Sequence, residues 1–106
     1  MRWHVHVDGA SSGNPGKSGA GIVVRDDRGE IVLTQGIYLG EMTNNMAEYE
    51  ALLRALTIAV EHSVKDVTVY TDSQLVANQV TGVYKIKNKT LFGYVRRVKE
   101  IVSNFE

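Results

Sequence analysis

Three acidic residues stand at positions where the fold could bring their carboxylates together. Asp8 ends an alternating run of residues, Asp72 ends a short β-branched run, and Glu48 lies early in a helical pattern. Carboxylate oxygens are ligands that hard divalent cations such as Mg²⁺ prefer. Two such ions, held about 4 Å apart, can activate a water and stabilise the leaving oxygen of a phosphodiester. These residues therefore suggest a metal site for phosphodiester chemistry.

The order of elements predicted to position these residues is β-β-β-α-β-α-α. Apolar and polar residues alternate in the first strand, and a helical period begins at Tyr49. We expect strands over residues 2–8, 19–25, 30–38 and 67–71, a long helix capped by Asn45, a short helix that Ser73 caps and that ends near Gly82, and a last helix capped by Thr90.

The predicted order favours an α/β fold with a mixed sheet. The first three strands form an antiparallel meander, and the helical crossover lays strand four parallel to strand one. Ligands of such sheets bind beyond the carboxyl ends of the parallel strands. We therefore expect Asp8 and Asp72 at one sheet edge.

Glu48 is predicted to point towards the packed face of its helix, unlike Glu50. On a helical wheel it lies about 40° from Leu52 and about 20° from Ala55. An alternative is a capping box, with Asn45 as the cap and Glu48 three residues later. Asp8 and Asp72 could likewise be turn or cap residues.

The composition suits one small domain over residues 1–106. Apolar residues make up 43% and charged residues 23%, which provides a core and argues against disorder. The chain has no cysteine, so a disulfide framework or a zinc ribbon is excluded. No stretch reads as a signal peptide or a membrane span, and a cytoplasmic protein with no membrane partner is expected.

Charge is distributed unevenly although the net charge is zero. Residues 73–99 hold six of the twelve basic residues and none of the twelve acidic ones, so this segment carries +6 and the remainder −6. The segment is either a solvated basic surface or one that follows a phosphate backbone.

Three ordered motifs resemble those of type 1 ribonuclease H. They are Asp8-Gly9-Ala10-Ser11-Ser12-Gly13-Asn14-Pro15-Gly16, then Thr43-Asn44-Asn45-Met46-Ala47-Glu48, then Tyr70-Thr71-Asp72-Ser73-Gln74. The resemblance covers the whole chain. It implies the ribonuclease H-like fold, two Mg²⁺ or Mn²⁺ ions, and cleavage of the RNA strand of RNA–DNA hybrids to 3′-hydroxyl and 5′-phosphate ends.

The resemblance also assigns roles to residues of this chain. Asp8, Glu48 and Asp72 are then the catalytic metal ligands. The implied substrate-binding residues are Gly9, Asn14, Asn44, Asn45, Ser73 and Gln74, and Lys85, Lys87 and Lys89 are weaker candidates for phosphate binding. Short amides suit such a role because they can bond the 2′-hydroxyls that distinguish RNA from DNA.

The sequence departs from the family pattern in two places. Only residues 83–89 stand where the family has a basic helical protrusion. Family members also continue into a fifth strand, a histidine loop, a fourth aspartate and a final helix. We expect these to be absent here, and neither Glu100 nor Glu106 matches the fourth acid. An alternative function is therefore a catalytically weak or inactive fragment that retains hybrid binding.

Two further hypotheses concern other surfaces. His4, His6 and Asp8 share one strand face as H-x-H-x-D, a pattern of zinc hydrolases, but 106 residues cannot build the large barrel that carries it. Without a fifth strand, strand 67–71 would be a sheet edge. We therefore expect a homodimer, through residues 67–71 or by exchange of the C-terminal helix.

Overall fold

A computed structural model describes residues 2–105 of the chain, so that Met1 and Glu106 lie outside it. These residues form four strands and three helices in the predicted order. The elements are β1 (Arg2–Ser11), β2 (Gly16–Arg25), β3 (Ile31–Met42), α1 (Asn44–Glu61), β4 (Asp66–Thr71), α2 (Gln74–Val80) and α3 (Lys89–Val102).

The strands form one mixed sheet in the order β3-β2-β1-β4. β1 and β2 are antiparallel, as are β2 and β3, whereas β4 runs parallel to β1. This is the predicted topology. β1 and β3 extend beyond their predicted ends, and in β1 the ladder continues from Asp8 paired with Gly21 to Ser11 paired with Ser18. The small residues there gave no alternating pattern from which to predict a strand.

One face of the sheet carries the core. Trp3, Val5 and Val7 alternate along β1 and are buried with Ile22 and Val24 of β2. The alanines of α1 pack on this face, and the leucines of α1 pack against α2 and α3. The predicted alternation of β1 is therefore confirmed. His4 and His6 lie on the opposite face, where both rings stack near Tyr70.

The predicted helix caps are correct for one helix and wrong for two. Ser73 caps α2, as expected. The cap of α1 is Thr43 rather than Asn45, and its hydroxyl accepts a hydrogen bond from the Met46 N–H at 3.2 Å. The cap of α3 is Asn88 rather than Thr90. Each true cap lies two residues before the predicted one. Both segments contain several residues that can cap a helix, and the sequence alone does not show which of them does so.

Polar contacts join α1 to the two shorter helices. The Tyr49 hydroxyl donates to Gln79 Oε1 at 2.6 Å, and the Tyr94 hydroxyl donates to Glu50 at 2.7 Å. The prediction that Glu50 points to solvent is therefore wrong, since its side chain is only 15% exposed and also pairs with Arg54. The hydroxyl of Tyr94 supplies a partner that helical periodicity alone does not show.

No helix among residues 2–105 is long and apolar enough to span a membrane.

Candidate active site

Asp8 and Asp72 lie side by side at one end of the sheet. Val7 of β1 pairs with Thr71 of β4 in parallel register, so the two aspartates are the next residues on neighbouring strands. Both are exposed, and both line an open cavity of about 740 Å³. The sheet thus brings together two carboxylates that are 64 positions apart in the chain.

Glu48 approaches the same place from the first turns of α1. Its carboxylate accepts a hydrogen bond from the Gly9 N–H at 2.6 Å, next to Asp8. This contact replaces the predicted capping box between Asn45 and Glu48, which is not formed. A Cβ at position 9 would overlap the Ala47 carbonyl group, so only glycine allows α1 to pass this close to β1.

The electrostatics of Glu48 connect the three acids. Partial burial raises the pKa of the Glu48 carboxyl, the hydrogen bond from Gly9 opposes that rise, and the negative charges of Asp8 and Asp72 add to it. A carboxyl in such a position is more easily protonated than in water. A bound cation would reverse this effect, because it favours the ionised form.

The donor set fits a hard divalent cation, although it is not a closed cage. Within residues 2–105, no three acidic or histidine side chains already converge on one point. Mg²⁺ needs no such convergence, since it keeps several waters and is held by one or two carboxylates together with substrate phosphates. The exposed pair Asp8 and Asp72 offers such an arrangement, with Glu48 beside it.

The predicted asparagines are brought together by the glycine-rich loop that follows β1. Asn14 Oδ1 accepts from the Asn44 N–H at 3.1 Å, and Asn44 Oδ1 accepts from the Ser11 N–H at 3.2 Å. Asn14 and Asn45 both line a second cavity of about 290 Å³. The bonds of Asn14 and Asn44 within residues 2–105 use their Oδ1 atoms, which leaves the Nδ2 donors for a ligand.

Other predicted residues stand apart from this group. Ser73 uses its hydroxyl to cap α2, accepting from the Val76 N–H at 3.2 Å, while Gln74 is exposed at the first turn of that helix. Lys85 and Lys87 are exposed in the segment between α2 and α3, and Lys89 begins α3. These lysines line neither cavity among its described residues.

Four residues that line the cavities were not predicted as part of this site, although His6 was considered in the H-x-H-x-D alternative. Asn88 and Thr90 line the smaller one together with Asn14 and Asn45. The charge pattern of this segment, which is set by its lysines, gives no sign of this role. His6 and Tyr70 line the larger cavity beside the aspartates. A signal was available, since each stands two positions before an aspartate, and within β1 that spacing places His6 and Asp8 on the same strand face.

The H-x-H-x-D alternative finds no support in this geometry. His4 and His6 do share a face with Asp8. However, the two ring nitrogens of His4 are bonded to Asp27 Oδ1 at 3.0 Å and the Tyr70 hydroxyl at 3.1 Å. His4 thus links the β2–β3 turn to β4 instead of turning towards Asp8.

The sequence matches a family described as reverse transcriptase-like over residues 6–106. It is also 39% identical, over 105 residues, to a protein named Ribonuclease HI from Halobacterium salinarum. That alignment covers 99% of this chain but only 53% of the relative, so the chain spans about half the length of that curated protein.

Solved structures agree in fold. The chain superposes on a crystal structure of RNase H1 from Halobacterium salinarum NRC-1 with a TM-score of 0.97 and 39% identity, covering all of this chain and 80% of the other. It superposes on LC11-RNase H1, solved in complex with an RNA/DNA hybrid, with a TM-score of 0.90 and 38% identity, covering 97% and 80% of the two chains.

Proposed function

Because the chain belongs to the reverse transcriptase-like family and has the fold of ribonuclease H domains, we propose that it hydrolyses the RNA strand of RNA–DNA hybrids. The observation that supports this most directly is the placement of Asp8 and Asp72 on adjacent parallel strands with Glu48 beside them. In the proposed reaction a water oxygen bonds to phosphorus and the bond from phosphorus to the 3′ oxygen breaks. The products are a 5′-phosphate and a 3′-hydroxyl.

The three carboxylates would hold two Mg²⁺ or Mn²⁺ ions. When bound, such ions supply an activated water and stabilise the leaving oxygen. The protein contributes the positions of the ligands. Asp8 and Asp72 are held in register by the β1–β4 ladder, and the Gly9 N–H orients the Glu48 carboxylate. Because Glu48 is partly buried and its pKa is raised, a bound cation would favour its ionised form.

Substrate recognition is proposed for the amides that border the smaller cavity. The Nδ2 groups of Asn14, Asn44 and Asn45 can donate to 2′-hydroxyls and base edges, and Gln74 extends this set at the start of α2. Gly9, whose missing side chain makes room for α1, would contribute its backbone to this surface, and Ser73 would support the loop after Asp72. Lys85, Lys87 and Lys89 add positive charge for phosphates beyond this surface.

A hybrid-binding module without efficient cleavage is the second candidate. It is favoured by one observation, that no three acidic or histidine side chains of residues 2–105 already surround a common point. In this case the asparagines and the basic segment would act without the ions.

One experiment separates the two candidates. Hybrid affinity and hybrid cleavage are measured on the same protein, in Mg²⁺ and in EDTA, with DNA duplex and RNA duplex of the same sequence as controls. The enzyme predicts cleavage of the hybrid alone and only with Mg²⁺. Binding without cleavage at any divalent concentration would leave only the binding module, and equal binding of all three duplexes would exclude both.

We also propose that the chain forms a homodimer, either through β4 or by exchange of its C-terminal helix. Within residues 2–105, β4 pairs with β1 alone, and the side chain of Tyr70 on this strand is 44% exposed. Unpaired backbone groups on such an edge favour association with a second strand. A cytoplasmic location, expected from the sequence, is retained as part of this proposal.

A further inference from the structure

Helix α3 exposes a row of three cationic side chains and one aromatic ring. With 100° per residue, Lys89, Phe92, Arg96 and Lys99 fall within an arc of about 80° on the helix. All four are exposed, whereas the opposite side of α3 is buried through Leu91, Tyr94, Val95 and Val98. We call these four exposed residues the α3 stripe.

The α3 stripe has a net positive charge. Glu100 is the single acid in α3, and it lies four residues after Arg96, about 40° from it on the helix, beside the C-terminal end of the stripe. The ion pairs found among residues 2–105 involve Arg2, His4 and Arg54 rather than any cation of the stripe. Arg97 is separate, because its guanidinium lies 5.4 Å from the centre of the Tyr94 ring. With three cations and one neighbouring acid, the stripe keeps a net positive charge that complements a polyanion.

The stripe begins where the proposed substrate-binding surface ends. Asn88 and Thr90, which flank Lys89, line the same cavity as Asn14 and Asn45. From Lys89 to Lys99 the helix rises about 15 Å at 1.5 Å per residue. A strand that leaves this cavity along α3 would meet the three cations in turn.

The exposed aromatic ring indicates which form of nucleic acid fits the stripe. Phe92 is 51% exposed between Lys89 and Arg96, and Tyr84, in the segment before α3, is 47% exposed. Aromatic rings interleaved with cations bind unpaired nucleotides, since the bases stack on the rings while the phosphates meet the charges. A duplex keeps its base faces stacked internally and offers no such contact.

We propose that the α3 stripe binds the single-stranded nucleic acid that continues from the hybrid. The inference rests on the proposed function, and it extends the substrate from a hybrid alone to a hybrid with an adjoining single strand. The affinity of the protein for a hybrid then depends on whether a single strand adjoins the cleaved segment.

The test compares a blunt hybrid with the same hybrid carrying a single-stranded overhang of about ten nucleotides at one end or the other. Affinities are measured by fluorescence anisotropy in EDTA, so that no strand is cut. For the parent protein, one overhang should raise affinity about five- to tenfold, as stacking of a single base does in other proteins. Phe92→Ala and the double variant Arg96→Gln/Lys99→Gln should each remove most of this gain and leave the blunt hybrid within about twofold.

A matched control removes the same charge elsewhere. Arg28→Gln/Lys65→Gln changes two exposed cations outside the stripe and should keep the gain from the overhang. For the overhang substrate, Arg96→Gln/Lys99→Gln should also reduce the slope of log affinity against log salt by about 1.4, or about 0.7 for each phosphate that the protein no longer neutralises. Melting curves of every variant check that folding is unchanged.

Three results would overturn the proposal: no overhang gain in the parent, the same reduction with the control variant, or an equal gain from a double-stranded DNA extension. The affinity for a free single strand tests this proposal independently of the proposed function. If the blunt hybrid is not bound at all, single-strand affinity still decides, because the stripe variants must lower it more than the control does. If the hybrid is cleaved but an overhang does not raise affinity, the proposed role of the α3 stripe is wrong and the proposed function still stands.

Discussion

At the scale of single residues, the proposed site depends most on Asp8. It lies on the central strand pair, next to both Asp72 and the Gly9–Glu48 hydrogen bond. We predict that Asp8→Asn abolishes Mg²⁺-dependent hybrid cleavage while the melting temperature stays equal or rises, because one charge is removed from an acidic cluster. Glu41→Gln, an exposed change on β3, is the control. Cleavage by Asp8→Asn at the parent rate would show that the site is assigned wrongly.

Glu48 leads to a prediction about stability without metal. Its raised pKa means that the folded protein binds more protons than the unfolded chain in the pH range just above the ordinary pKa of glutamate. The contribution of Glu48 to the free energy of unfolding therefore falls as pH rises through this window.

Glu48→Gln should remove that pH dependence and raise the melting temperature at neutral pH in EDTA, since glutamine can still accept from Gly9. Added Mg²⁺ should stabilise the parent more than this variant. A lower melting temperature for the variant in EDTA would contradict the proposed environment of Glu48.

Much of the acidic site could be predicted from residue patterns. The predicted strand ends and the parallel crossover indicated that Asp8 and Asp72 lie together. Helical periodicity indicated that Glu48 points towards the packed face of α1. The partner of Glu48 could not be predicted, because the Gly9 N–H is 39 positions away and is reached only through the packing of α1 on β1. Local patterns contain no information about such a contact.

At the scale of elements, the start of α1 gives a direct comparison of two neighbouring side chains. Thr43 and Asn45 both line the smaller cavity, but only Thr43 also caps the helix. We predict that Thr43→Ala lowers the free energy of unfolding by about 1 kcal/mol. Asn45→Ala should change it by less than about 0.5 kcal/mol and instead weaken the preference for hybrid over DNA duplex. Denaturant titration of both variants checks this, and the reverse order of stabilities would restore Asn45 as the cap.

The helix-to-helix contacts predict sensitivity to alkali. Burial raises the pKa of Tyr49 and Tyr94 to about 12, and for Tyr94 the acceptor Glu50 contributes further. Between pH 10 and pH 12 the unfolded chain loses these protons before the folded protein does, so stability falls as pH rises.

At pH 11 the two tyrosines together should lower the free energy of unfolding by about 2–3 kcal/mol relative to pH 9. Tyr49→Phe/Tyr94→Phe should flatten this fall, whereas Tyr38→Phe, at a ring 70% exposed, should not. An equally steep fall in the double variant would assign the effect to other groups.

Element order and pairing direction followed from the sequence more reliably than element ends. The crossover rule and the change of period specify which elements exist and how they pair. The ends depend on which of several adjacent residues, such as Thr43, Asn44 and Asn45, contacts other segments of the same chain. That choice is made by tertiary packing.

At the scale of the whole molecule, β4 leads to a prediction about self-association. We predict a dimer at micromolar concentration in sedimentation experiments. Thr68→Lys should disrupt pairing through β4, because Thr68 is exposed on this strand and a lysine there opposes edge-to-edge association. A dimer that survives Thr68→Lys would favour exchange of the C-terminal helix. A monomer at about 0.1 mM with protected amides in residues 67–71 would contradict both routes.

The close passage of α1 over Gly9 has a consequence for how the protein tolerates mutation. Gly9 has no side chain for chemistry, yet any side chain there would push α1 and Glu48 away from Asp8. In a library that randomises each position in turn, position 9 should be as intolerant as the three acids. Selection for activity would then mark these four positions, and the glycine among them would be retained because of the space it leaves empty.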